Sequence, residues 1–404
     1  VWQDSRLRTL VPHAFANVPF YRERWKAAGI DPAGIRSVND LERLPVIPGA
    51  EMKSTPHVEL LAAGTDESRC RVVTTSGSTG TPFTVTYSRR DHFTLIKAMS
   101  VRHFFAHGIR PYHRVANFTP RAELQNLHGW YERLGFWRRL FLHTGSEPGE
   151  WVDRLRRFRP HAISANPSTL RELAAAVREK ALPAGFPKLV FSSGERLEPA
   201  DRRLFEETFG CPVWDAYGAY EGGFIAWQCP RCRDYHVNSD SVIVEVLAGG
   251  RPAAPGEAGE VFITNLHSWQ MPFIRYGLGD VAAFSPGSPV CGRVLPLIEA
   301  FWGRNDDCVR LPSGRLVGPQ PIRALLALDP AVAEYRVVQE SSAECVILIV
   351  PHGEIMPADH VNRLTASMRD LLGKEVGVRT EIVSRIERDR ATKWKTVLSR
   401  VPPP

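Results

Sequence analysis

The chain has 404 residues and a formal net charge of +7, long enough for a large domain beside a smaller one. Its composition, 43% hydrophobic and 24% charged, is that of ordinary soluble proteins. The scattered arginines read as a solvated surface with a slight bias towards anionic substrates. No apolar run reaches the roughly 18 residues of a membrane span, and no basic run interleaved with aromatics argues for nucleic acid, so neither partner is expected.

Taken in chain order, the first fifty residues read as helices punctuated by proline; "RLRTLVPHAFANVPFYRERWKAAGI" has apolar residues at helical spacing. No signal peptide is visible, and the chain begins at Val1. Strand-like "CRVV" and "FTVTYS" then flank "TTSGSTGTP". Glycine lets the backbone approach a ligand, successive N–H groups form anion-binding nests, and Ser76, Ser78 and Thr79 add hydroxyl donors. By itself such a loop is more often a plain hairpin turn. It is not a Walker loop, which needs a second glycine five residues after the first and then lysine. Counted from Gly77 that place is Pro82. Ser88 and Asp91 give a capping signal for a helix through about His107.

The middle alternates. "EWVDRLRRF" and "PSTLRELAAAVREK" read as helices, "HAISA", "KLVFSSG" and "CPVWDAYG" as short buried strands, which implies an α/β sheet. From Tyr235 the pattern becomes all-β. After Gly303 it changes again: "EYRVVQE" pairs with "ECVILIVP", "ADHVNRLTASMRDLLG" is a helix and "VGVRTEIVS" a strand. The expected division is a large domain over 1–303 and a small α+β domain over 304–404, with the boundary at "GRNDD".

Seven cysteines make a poor disulfide framework and suggest a reducing, cytoplasmic setting. Cys70, Cys211, Cys308 and Cys345 lie singly beside apolar residues and read as core fillers. Cys229, Cys232 and His236 form C-x₂-C-x₃-H, and with Cys291 they make a Cys₃His set, the inventory of a closed structural Zn²⁺ site. The alternatives are unrelated thiols or a redox pair, but a redox C-x-x-C starts a helix and this one precedes strands.

In order, "TTSGSTGTP", "SSGE", "DAYGAYE", "IRYGLGD", "GRNDD" and "RATKWKTV" resemble the signature segments of adenylate-forming enzymes. That superfamily holds the acyl-CoA synthetases, peptide-synthetase adenylation domains and luciferases. "VPFYRERWKAAGI", "DLERLPVI" and "CGRVLPLIEAFWGR" are similar to the phenylacetate–CoA ligase branch. The resemblance spans almost the whole chain. It implies a large multi-subdomain N-terminal domain and a small mobile C-terminal lid. It also implies a reaction in which a carboxylate attacks the α-phosphate of ATP, pyrophosphate leaves, and the acyl-AMP passes its acyl group to a thiol.

Residue by residue, the resemblance implies that the loop Thr75, Ser76, Gly77, Ser78, Thr79 and Gly80 closes over the β- and γ-phosphates. Glu221 would coordinate Mg²⁺, and Tyr217 beside Gly218 would stack near the adenine. Asp280 would accept the ribose hydroxyls, Arg304 would bind the ribose or phosphate region, and Gly194 with Glu195 would contact the adenine. Lys393, in preference to Lys395, would reach the substrate carboxylate and α-phosphate, and Asp306 would be the hinge of the lid. Phe118, His128, Trp130, Tyr131 and Ala216 are the residues proposed for an acid pocket suited to an aromatic acid, with membership of the core as the equal alternative. The chain departs from the pattern at Phe83, Tyr220, Gly277, Arg323 and Thr392, none of which removes an essential charge. The acceptor is expected to be coenzyme A; a carrier-protein pantetheine, an amine or another nucleophile stays open, as do a homodimer and a catalytically inactive nucleotide-binding module of the same fold. A P-loop kinase is excluded by the missing Walker lysine and the strand after the loop.

Overall fold

A computed structural model describes all residues except 76–82, 122–128, 288, 305–306, 328, 354–355, 388–395 and 402–404, together with the side chains of 75, 320 and 324. Ser76, Gly77, Ser78, Thr79, Gly80, His128, Asp306 and Lys393 therefore lie outside the described residues, as does the side chain of Thr75.

The strands in chain order are β1 (Cys70–Thr75), β2 (Phe83–Ser88), β3 (Val115–Thr119), β4 (Arg139–His143), β5 (Ala162–Ala165), β6 (Leu189–Ser193), β7 (Val213–Ala219) and β8 (Gly223–Gln228). There follow β9 (Tyr235–Val237), β10 (Val242–Ala248), β11 (Arg251–Pro252), β12 (Gly259–Asn265), β13 (Tyr276–Phe284) and β14 (Leu297–Arg304). Last come β15 (Val309–Arg310), β16 (Leu316–Val317), β17 (Val332–Ser341), β18 (Glu344–Pro351), β19 (Gly377–Ile382) and β20 (Val397–Ser399). One twelve-stranded sheet runs β11-β10-β12-β13-β14-β9-β8-β7-β6-β5-β3-β4. From β4 to β7 all neighbours are parallel, and from β7 onwards all are antiparallel.

The parallel half follows from helix start and stop chemistry. The three helices that link β4 to β5, β5 to β6 and β6 to β7 open on proline at their first position, where the missing N–H costs nothing. In the helix Pro167–Glu179, Leu170, Leu173, Ala174 and Val177 recur at helical spacing and are buried against the sheet. The helix Pro199–Phe209 stops at Gly210, whose φ of +62° is the left-handed conformation that suits glycine. The N-terminal helices Trp2–Asn17 and Pro19–Ala27 bury Leu7, Leu10, Val11, Ala14, Tyr21 and Trp25 in the same core as β12 and β13. The Tyr21 hydroxyl donates to the Pro272 carbonyl at 2.9 Å and accepts from the Ile274 N–H at 3.0 Å, which pins them to the start of β13.

β1 and β2 pair antiparallel as a separate hairpin around 76–82. The capping signal behaves as its residues require: Ser88 Oγ accepts from the Asp91 N–H at 2.9 Å. The helical run that follows, Arg89 to Ala106, contains a π-helical stretch over Phe93–Ala98 that spacing did not reveal.

The small unit has its own apolar core from Val309 to Val397. Its sheet runs β19-β18-β17-β20, with β17 and β18 antiparallel and the outer pairs parallel. The helix Ala358–Leu372 buries Leu364, Met368 and Leu372 in that core. Of the four cysteines read as core fillers, Cys308 and Cys345 are buried, whereas Cys70 and Cys211 are only partly so.

Candidate active site

The carboxyl ends of β6 and β7, where the parallel half gives way to the antiparallel half, meet the ends of β13 and β14. Open α/β sheets place ligand sites at such a change of connection. β7 ends in Tyr217-Gly218-Ala219, with Glu221 in the turn to β8. A Cβ on Gly218 would lie 2.8 Å from the Gly223 carbonyl, so this tight turn admits only glycine there.

The Tyr217 hydroxyl donates to Asp280 Oδ2 at 2.6 Å, and its ring stacks on Phe301 with centroids 3.8 Å apart. Asp280 and Arg304 are register partners across β13 and β14. Arg304 Nη1 donates to Asp280 Oδ1 at 3.2 Å and to the Leu278 carbonyl at 3.1 Å. Burial raises the Asp280 carboxyl above its ordinary range, against the pull of Arg304 and the Tyr217 hydrogen bond. Each Asp280 oxygen has taken one partner of about two that it can accept, which leaves acceptor capacity for further hydroxyls.

Glu221 is likewise buried, and burial raises its carboxyl; Lys53 and the Tyr276 hydroxyl, which donates to Oε1 at 3.1 Å, pull the other way. Its carbonyl accepts from Asn265 Nδ2 at 2.8 Å. A buried, oriented carboxylate with little cationic compensation fits a divalent cation, whose charge would favour the ionised form. Tyr276 and Phe301 carry no motif chemistry of their own in the sequence. Their signal was position: Tyr276 opens "YGLGD", and Phe301 stands three residues before Arg304.

The other nominated residues fall in several places. Gly194, at φ +82°, follows the end of β6. Glu195 turns its carboxylate back to the start of the preceding helix Pro167–Glu179, accepting from Asn166 Nδ2 at 3.1 Å and from Ser168 N and Oγ at 3.1 and 2.6 Å. Phe118 packs edge-on against Trp151 in the α/β core. Ala216 is buried in β7. The Tyr131 hydroxyl accepts from Arg139 Nη2 at 3.1 Å, while Trp130 is 76% exposed. Tyr220 lies at the surface, its hydroxyl 3.4 Å from Arg121 Nη2.

A second cluster sits one strand away. The ligand atoms of Cys229, Cys232, His236 and Cys291 all lie within 4.8 Å of one another, and His236 Nε2 is 3.1 Å from Cys291 Sγ. Donor atoms around a tetrahedral zinc with thiolate bonds of about 2.3 Å are roughly 3.7 Å apart, so the set fits the ion. The Arg231 N–H points at Cys229 Sγ at 3.5 Å, and the Asp234 and Arg293 N–H groups donate to Cys232 and Cys291. Each sulfur thus meets the N–H two residues on, as in a turn that presents thiolates to a cation. The turn is closed by Arg233 in the left-handed region, φ +68°.

Residues 38–267 match the family model of AMP-binding enzymes, more than half of the chain. The chain belongs to the AMP-binding enzyme family. It is an adenylate-forming ligase, and residues 314–400 match the CapK C-terminal domain. It is 29% identical to the phenylacetate–coenzyme A ligase of Thermus thermophilus, over 83% of this chain and 77% of that protein. It is 25% identical to the phenylacetate–coenzyme A ligase of Aromatoleum evansii, over 99% of this chain and 94% of that one. Among solved structures, an open conformation of 2-hydroxyisobutyryl-CoA ligase with 2-HIB-AMP and CoA matches at TM-score 0.79 and 23% identity, covering 98% of this chain and 90% of that chain. This AMP-binding enzyme therefore has the fold of the acyl-CoA ligases. Among the described residues no helix is long and apolar enough to cross a membrane.

Proposed function

We propose that this ligase activates an aromatic carboxylic acid with ATP and transfers the acyl group to coenzyme A. The observation that carries the reading is the group Tyr217, Asp280, Arg304 and Glu221, held in register at the ends of β7, β13 and β14. The similarity to phenylacetate–coenzyme A ligases supports the acid and the acceptor.

In this reading the Asp280 carboxylate uses its remaining lone pairs for the ribose diol, with Tyr217 and Arg304 fixing its orientation. Tyr217, backed by Phe301, offers its ring to the adenine. Glu221, oriented by Tyr276, is the carboxylate for Mg²⁺, which would supply charge neutralisation of the phosphates. An oxygen of the acid attacks the α-phosphorus, the bond to the bridging oxygen breaks, and pyrophosphate leaves. The thiol of coenzyme A then loses its proton and attacks the acyl carbon, and AMP leaves. Lys393 serves the first step and Asp306 the change of lid position between the steps, with the lobes dividing at 303/304. Cys229, Cys232, His236 and Cys291 hold a structural Zn²⁺, since four protein ligands leave no open position for catalysis.

Exchange of labelled pyrophosphate into ATP, run with phenylacetate, substituted benzoates and small aliphatic hydroxy acids, tests the reading. Exchange driven by aromatic acids, followed by thioester formation with coenzyme A, is the expected result. Exchange only with aliphatic acids would overturn the aromatic assignment, and no exchange with any acid would overturn the activity.

A further inference from the structure

We infer that the metal held by Cys229, Cys232, His236 and Cys291 sets the aromatic wall of the nucleotide site, so that metal loading controls the affinity for ATP. This rests on the zinc reading above. β9 is three residues long and pairs with β14 through Leu297 opposite His236 and Ile298 opposite Tyr235, with the Val237 N–H donating to the Pro296 carbonyl at 2.9 Å just before β14. A ladder this short holds two strands weakly. The metal ligands cross-link it at that same end. His236 lies on β9, Cys229 and Cys232 lie in the turn that leads into it, and Cys291 lies in the segment that leads into β14. Arg231 Nη1 also reaches the Cys291 carbonyl at 3.4 Å, and Arg293 Nη1 lies 3.9 Å from Cys229 Sγ. These guanidinium groups offset the excess negative charge of three thiolates on one dication.

From His236 the path to the nucleotide site is two ring contacts long. Tyr235, its neighbour on β9, sets its ring edge against Phe301 at 5.1 Å and donates its hydroxyl to Asp215 at 2.7 Å. Phe301 carries the stacked ring of Tyr217, and Arg304, three residues on along β14, holds Asp280. Freeing β9 from β14 would withdraw the support of Phe301, and the ring of Tyr217 would lose its fixed partner. Tyr235 and Phe301 are positioning residues here, acting through Tyr217.

The test uses the full chain as purified. Metal analysis should give one zinc per chain. Removal of zinc by a chelator, with the fold checked by circular dichroism, should raise the KM for ATP about two- to tenfold, the range one aromatic pair is worth. The KM for coenzyme A in transfer from pre-made acyl-AMP should stay unchanged, and added Zn²⁺ should restore the ATP value. Phe301→Leu should raise the KM for ATP by a similar factor and remove its dependence on zinc. Should the metal-free chain unfold, His236→Cys keeps four ligands but shortens the reach of β9. It should retain zinc and still raise the KM for ATP. Absence of zinc would overturn the zinc reading and this inference with it. Zinc present, with the ATP KM unchanged on its removal and in His236→Cys, or with all KM values moved alike, would overturn the coupling alone.

Discussion

Glu221 and Asp215 are buried carboxyls on and beside the same motif, and their surroundings give them different work. Glu221, in the turn from β7 to β8, has one tyrosine hydroxyl on Oε1, from Tyr276 on β13. Glu221→Gln keeps the shape and removes the charge that Mg²⁺ needs. We expect adenylation to fall about a hundredfold, with the Mg²⁺ dependence moved to higher concentration. Pyrophosphate exchange across a Mg²⁺ titration reads both, and an unchanged Mg²⁺ dependence would count against the assignment. Asp215 lies deeper. Burial pushes its carboxyl up to about 6, against the hydrogen bond from Tyr235. A raised carboxyl favours the protonated folded chain, so its contribution to stability is present below about pH 4 and is lost as pH rises through about 6. The loss amounts to about 3 kcal/mol at most. Urea unfolding midpoints should fall across that window, and Asp215→Asn should flatten that part of the profile.

Among the elements, the turn after β6 shows how one side chain serves a helix rather than a ligand. Asn166 caps the helix Pro167–Glu179 by accepting from the Thr169 N–H at 3.0 Å, and Glu195 accepts from both Asn166 and Ser168 at that terminus. A carboxylate there satisfies free N–H groups and meets the positive end of the helix dipole. Glu195→Ala should cost about 1–2 kcal/mol of stability, read by thermal unfolding, while the KM for ATP changes little. A large rise in that KM at unchanged stability would return Glu195 to the adenine site. The strands that alternation revealed, such as β17 and β18, have eight or more residues with a buried face. β11, β15, β16 and β20 have three residues or fewer. Runs so short contain too few residues to show a period, and only their partners make them strands.

At the scale of the whole molecule, the two lobes meet through ion pairs. Arg323 Nη1 lies 2.5 Å from Glu198 Oε2, and Arg310 Nη2 lies 2.7 Å from Glu260 Oε1. Arg323 stands where the resemblance leads one to expect a glutamate, and the fold supplies it with an acid from the other lobe. The partly exposed Arg323–Glu198 pair is worth about 0–1 kcal/mol, so it biases an orientation without fixing it. A reorienting lid needs backbone freedom at the boundary. Asp306→Pro should fix φ there and remove an N–H. We expect acyl-AMP to accumulate in single turnover while transfer to coenzyme A fails. Both steps proceeding at parental rates would place the hinge elsewhere.

The sequence by itself determined the family and the α/β class; the resemblance of its motifs singled out Glu221, Asp280, Arg304 and Tyr217 as candidates, and ligand spacing singled out the Cys₃His set. It showed the antiparallel hairpin β1–β2 and the α+β character of the last hundred residues, because apolar period is a local property. Tertiary structure alone decided which motifs touch. Asp280 meets Arg304 because β13 and β14 pair in that register, and Phe301 on β14 backs Tyr217 on β7 although β9 and β8 lie between those strands in the sheet. Likewise Cys291 joins Cys229, Cys232 and His236 across 55 residues because β9 and β14 run side by side. Pairings between strands far apart in the chain are set by the burial of the whole sheet, and no window of residues contains that information.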